Sequence, residues 1–137
     1  MQTFLLENDY LKITLSNFGA SWLSCVVKHP SSDREILITT TPDRWQENSA
    51  YFGATIGRYA NRIAHARYQL NQQQYQLAAN NGENNLHGGK IGGSHVHWQV
   101  VNQQPQVVTF AYTFADGEEG FGSEVQATVT YRLHEKT

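Results

Sequence analysis

Val108-Thr109-Phe110-Ala111-Tyr112-Thr113-Phe114 is the stretch that decides the fold. Its large apolar residues fall at every second position, the period of a strand with one face in the core and one in water. The same period recurs at Leu11, Ile13 and Leu15, and again at Val125, Ala127, Val129, Tyr131 and Leu133. Clusters of Asn, Gly and Asp separate these runs, as turns require. Tyr68-Gln69-Leu70 and Tyr75-Gln76-Leu77 nearly repeat each other around Asn71-Gln72. That spacing predicts a hairpin with Tyr and Leu on one face and Gln on the other. Helix signals are few. Thr41-Pro42-Asp43 offers an N-cap, a proline for the first helical position and an acid suited to the dipole, and predicts one or two turns. The fold class is therefore all-β, with a two-sheet sandwich or a barrel as the expected architecture.

Composition agrees with a packed domain. The 137 residues are 39% apolar, 12% aromatic and only 16% charged, the reverse of a disordered chain. Twelve Gln and ten Asn outnumber either sign of charge. A chain of this length makes one domain, residues 1–137, burying roughly two-thirds of its unfolded surface. The net charge of −2, without a basic cluster, argues against nucleic acid as a partner. Cys25 is the single cysteine, so it makes no internal disulfide and is expected to pack as a small buried hydrophobe. No apolar run approaches the roughly 20 residues that span a bilayer, and Glu7, Asp9 and Lys12 interrupt the N-terminal stretch. These features predict a soluble, cytoplasmic protein with no membrane partner.

Three polar, glycine-rich stretches are candidates for chemistry. In Gly57-Arg58-Tyr59-Ala60-Asn61-Arg62-Ile63, an amide beside a guanidinium suits vicinal hydroxyls or a carboxylate. Ion pairs from both arginines to strand-end acids are the competing reading. In Asn80-Asn81-Gly82-Glu83-Asn84-Asn85-Leu86-His87-Gly88-Gly89, four amides and an imidazole can donate to and accept from an uncharged sugar. The paired glycines would let backbone approach a ligand. The same residues also describe a surface loop closed by Asx-turns. In Asp116-Gly117-Glu118-Glu119-Gly120-Phe121-Gly122, the carboxylates could serve acid-base work or a hard metal, yet their spacing is not that of an EF-hand and a solvated hairpin turn is the favoured reading. His95-Val96-His97 would point two imidazoles one way on a strand, but no acid follows within the next five residues and no metal is expected. The glycines at 88, 89, 92 and 93 lack the Lys-Ser/Thr pair of a phosphate loop.

Taken in order, these segments resemble the aldose 1-epimerase (galactose mutarotase) family. The resemblance rests on Gly57 to Ile63, on Asn84-Asn85-Leu86-His87-Gly88-Gly89 with Trp98 beyond, and on Asp116 to Phe121 with Val129-Thr130-Tyr131. Asn17-Phe18-Gly19-Ala20 looks like the family's N-terminal strand turn. The resemblance implies the N-terminal part of a mutarotase-like β-supersandwich. It also implies interconversion of the α and β anomers of free aldoses such as galactose and glucose, without a cofactor. In that chemistry a base takes the anomeric hydroxyl proton while an acid protonates the ring oxygen, and the opened chain rotates and recloses. By resemblance Asn61, Arg62 and His87 bind the sugar. The family's general-acid His and general-base Glu lie in later motifs, so no catalytic residue is identified between Met1 and Thr137. Gly122-Ser123 also replaces the family's usual Pro-Gly after the acidic turn. Two function classes follow: an aldose 1-epimerase of which this is the N-terminal portion, or a carbohydrate-binding or structural remnant without the proton-transfer pair. A sandwich shortened in this way is expected to cover its strand edges by self-association or with a partner chain.

Overall fold

The computed structural model describes residues 1–135. Along them run β1 (Thr3–Glu7), β2 (Leu11–Ser16), β3 (Ser21–Val27), β4 (Arg34–Glu35), β5 (Arg62–Ile63), β6 (Arg67–Leu70), β7 (Gln73–Gln76), β8 (Asn85–Leu86), β9 (Gln99–Gln104), β10 (Val107–Phe114) and β11 (Val125–Arg132). The long strands β2, β10 and β11 coincide with the three alternating runs. One sheet has the order β1-β2-β3-β4 and the other β11-β10-β9, every pairing antiparallel. Small two-stranded ladders, β5-β8 and β6-β7, lie outside them. No helix among the described residues is long and apolar enough to cross a membrane.

The core is what the alternation dictates. Leu6, Ile13, Leu15, Ala20 and Cys25 from the first sheet and its turn pack with Trp98, Val108, Phe110, Phe114 and Leu133 from the second. Phe110 has no exposed surface, and Phe4 meets its ring edge-on at 5.5 Å. Two polar contacts pin this apolar layer: Tyr131 Oη donates to the Ala20 carbonyl at 2.8 Å, and Trp98 Nε1 donates to the Gly93 carbonyl at 2.8 Å. Burial pushes the Cys25 thiol up, so it stays protonated and packs as the expected small hydrophobe.

The hairpin at 67–76 forms around the expected Asn71-Gln72 turn, with Tyr68 opposite Tyr75 and the two rings stacked at 4.8 Å. Asn71 and Gln72 both take positive φ, 50° and 66°, as a primed two-residue turn requires. The expected Tyr/Leu face forms, since the register sets Tyr68, Leu70 and Tyr75 on one side of the ladder and Gln69 and Gln76 on the other. Leu77 joins Ala66 and Phe121 in a small buried cluster, whereas Leu70 at the hairpin tip is 56% exposed. The helical segment is the 3₁₀ turn Pro42–Glu47, and Thr41 stands at its N-cap without a side-chain capping bond. What holds that turn is burial of Trp45 against Phe18 and Leu23.

Candidate functional site

The β5-β8 ladder brings two of the three polar stretches together. Arg62 pairs with Leu86 and Ile63 with Asn85, which sets Asn61 beside His87. The Asn61 backbone N–H donates to His87 Nδ1 at 3.0 Å, and the His87 backbone N–H donates back to the Asn61 carbonyl at 3.1 Å. Both residues sit in left-handed backbone, φ 67° and 55°, a region that Asn and His enter more readily than most side chains. With Nδ1 accepting, the neutral ring carries its proton on Nε2, a donor for whatever faces it. Arg62 Nε donates to Asn81 Oδ1 at 2.9 Å and Nη1 to Asn61 Oδ1 at 3.4 Å. The guanidinium is thus held by amides, and its exposed fork keeps donors for a ligand. Asn61, Arg62 and His87 therefore form one cluster.

The ion-pair reading of the arginines fails for a specific reason. Neither has a carboxylate partner within 4.0 Å among the described residues. Arg58 instead donates through Nη1 to the carbonyls of Gly122 and Ser123 and through Nη2 to those of Phe114 and Ala115. Its guanidinium lies 5.7 Å from the ring centres of Phe114 and Phe121, a cation–π clamp. Arg58 is a strut for the acidic turn.

That turn is not merely solvated. Glu119 accepts from the backbone N–H groups of Lys90 and Ile91 at 2.8 and 3.0 Å, and Glu118 accepts from Ala115 N–H and Tyr112 Oη. Proximity of Glu118, together with the larger effect of burial, raises the pKa of Tyr112. Glu119 thus fastens the turn to the loop after His87, and Glu118 closes the turn on the end of its own strand. The paired glycines serve the same packing. A Cβ on Gly88 would overlap the Gly57 carbonyl, and one on Gly89 would overlap the Glu119 carboxylate, so the close approach they permit is to the chain itself.

The loop's amides are also used internally. Asn80 donates to the Leu86 and Gly89 carbonyls at 2.9 Å each and accepts from Leu86 N–H at 2.7 Å. Asn85, fully buried, donates to the Ala78 carbonyl; Asn84 accepts from His65 N–H. They shape the loop. His95 and His97 do not share a strand face. His95 closes the 3₁₀ turn Gly93–His95, where Nδ1 lies 2.8 Å from Ser94 Oγ, and His97 bridges to Phe18. No three metal-binding side chains gather among the described residues.

Sequence reasoning missed Tyr51. Its ring meets His87 edge-on at 4.7 Å and His95 at 5.7 Å. With Ser49, Asn80, Gly82 and Lys90, Tyr51 and His95 line an open depression of about 590 Å³. A hollow of about 500 Å³ near the β3–β4 turn, lined by His29, Arg34 and Ile36 among others, shares no lining residue with it. The sole sequence cue to Tyr51 was an aromatic two residues before Gly53.

The two sheets, the β5-β8 ladder and the imidazole–guanidinium cluster on it define a galactose mutarotase-like β-sandwich. The sequence model of the family described as aldose 1-epimerase matches residues 2–137. This chain belongs to that family. It is 42% identical over 133 residues to the aldose 1-epimerase of Escherichia coli (strain K12), covering 94% of this chain and 38% of that protein. It is 32% identical over 139 residues to the galactose mutarotase of Homo sapiens, covering 97% and 39%. Among solved structures, a GalM/aldose epimerase homologue from C. elegans superposes with a TM-score of 0.90 at 28% identity, over 96% of this chain and 42% of that one. The chain thus spans about two-fifths of the length of the relatives it matches.

Proposed function

We propose that residues 1–137 form one domain, the sugar-holding portion of an aldose 1-epimerase that interconverts the α and β anomers of free aldoses such as galactose and glucose. The reciprocal Asn61–His87 pair beside the amide-held Arg62 carries this reading. It presents an imidazole N–H and a guanidinium fork, fixed before a ligand arrives, to the hydroxyls of a small neutral sugar. The acid that protonates the ring oxygen and the base that takes the anomeric proton are assigned to groups beyond the motifs present here. No cofactor is required by that chemistry, and the reading places it in the cytoplasm.

A second reading has its own observation. The nearby carboxylates are engaged elsewhere: Glu83 faces His65 at 3.3 Å, and Glu118 and Glu119 accept backbone N–H groups. Each of these carboxylates has a partner other than His87, which favours carbohydrate binding without turnover when this chain stands alone. Polarimetry of freshly dissolved α-galactose separates the two. Relaxation faster than buffer supports the epimerase reading for the chain itself, and relaxation at the buffer rate rejects it. Saturation-transfer NMR with galactose then tests binding, and Arg62→Ala is expected to abolish the transferred signal. A signal that survives Arg62→Ala counts against the assigned site.

A further inference from the structure

We infer that Tyr51 is a positioning residue for His87, itself held by His95, so that one aromatic ring sets the plane of the imidazole at the site. The inference rests on the sugar-binding reading above and adds a determinant to it. The Asn61 N–H fixes a single ring atom, Nδ1, and a ring tethered at one atom can still swing about that bond. The Tyr51 ring stands against it at 4.7 Å with an interplanar angle of 66°, an edge contact that removes that freedom. On its far side Tyr51 meets His95 at 5.7 Å and 85°.

His95 is in turn fixed. Nδ1 lies 2.8 Å from Oγ of the buried Ser94, and the ring meets Phe18 edge-on at 6.2 Å. Burial lowers its pKa, so it packs as a neutral aromatic ring at pH 7. The backbone at Tyr51 is held in a left-handed conformation, φ 59°, that an aromatic residue rarely adopts. The buried Asn48 side chain secures it, donating to the Phe52 carbonyl at 2.9 Å and accepting from Phe52 N–H at 3.1 Å. Strain of this kind persists only where the surroundings over-determine it, and it concentrates at functional sites. Tyr51 and His95 also line the depression of about 590 Å³, whose lining does not include Asn61, Arg62 or His87.

The test uses nitrogen-15 NMR of the histidine rings, with the His87 signals assigned by His87→Gln, and galactose as the probe ligand. In the wild-type chain the two ring nitrogens of His87 are expected at well-separated shifts, the mark of a single tautomer. In Tyr51→Leu these shifts converge and galactose binding weakens roughly tenfold, with circular dichroism unchanged. The ring-conserving Tyr51→Phe restores both. His95→Gln, which leaves Tyr51 in place, produces a smaller convergence and keeps the inference testable should Tyr51→Leu fail to fold. Unchanged ring shifts in folded Tyr51→Leu or in His95→Gln overturn the inference, as does a Tyr51→Phe variant as impaired as Tyr51→Leu. A wild-type chain that gives no galactose signal rejects the sugar reading instead, while the tautomer measurement still decides the role of Tyr51.

Discussion

Glu119 accepts two backbone N–H groups just beyond His87, at Lys90 and Ile91, from a half-buried position. A protein hydrogen bond contributes about 1 kcal/mol net, and Glu119 makes two of them here. Glu119→Ala is therefore expected to lower the unfolding free energy by roughly 2 kcal/mol. The exposed Glu124 offers the control, since among the described residues its carboxylate meets only the Gln126 amide. Urea titration of the two variants checks this, and equal midpoints would remove Glu119 from the loop's architecture. Nothing in the order Asp116-Gly117-Glu118-Glu119 distinguished this carboxylate from its neighbours. Its partners lie 28 and 29 residues away, and only the docking of one loop on another reveals which acid faces which amides. The clustering of Asn61, Arg62 and His87 follows from two contiguous motifs that the β5-β8 ladder pairs, whereas Tyr51 reaches His87 across 36 residues and had no motif to announce it.

At the scale of elements, legibility followed the reach of the signal. Strands β2, β10 and β11 declare themselves by alternation because each buries one face, and the β6-β7 hairpin by its near-repeat around a turn. The corner joining β3 to β4 did not. Glu35 on β4 accepts from Ser24 Oγ and from the N–H groups of Cys25, Ile36 and Leu37, stitching a two-residue strand to the sheet. Burial, the largest single influence on this carboxyl, pushes its pKa up, but the Ser24 bond and the three backbone bonds together outweigh it and hold the pKa below the ordinary value. A carboxyl depressed in the fold binds fewer protons than in the unfolded chain. Its contribution is thus present above the unfolded carboxylate value of about 4.3 and is lost as pH falls through the folded one. Stability measured between pH 3 and pH 6 should therefore rise with pH more steeply for wild type than for Glu35→Gln. Parallel curves would show that the corner does not depend on the charge.

For the whole molecule, the two sheets close on a shared apolar layer, yet several large apolar side chains remain outside it. Leu5 is 54% exposed, Ile36 54%, Ile38 81% and Val101 56%. Strands β1 and β4 end one sheet, and β9 and β11 the other. Open edges with apolar neighbours are the surfaces on which strands add or sheets pack. We expect the 137-residue chain to self-associate or to seek a partner chain over these edges. Light scattering across a dilution series reads the outcome: a mass that climbs with concentration supports it, and a monodisperse monomer rejects it.

The crossed bonds between Asn61 and His87 have a consequence for affinity as well as for shape. A loop that samples many arrangements offers a ligand only the fraction of molecules in the receptive one, and apparent binding weakens by that fraction. On the proposed sugar reading, the ladder, the left-handed turns and the Glu119 tether hold the receptive arrangement in advance. A small, weakly interacting hydroxylated molecule has few contacts with which to order a binding surface. On that proposal it meets a surface whose conformational entropy was already surrendered when the chain folded.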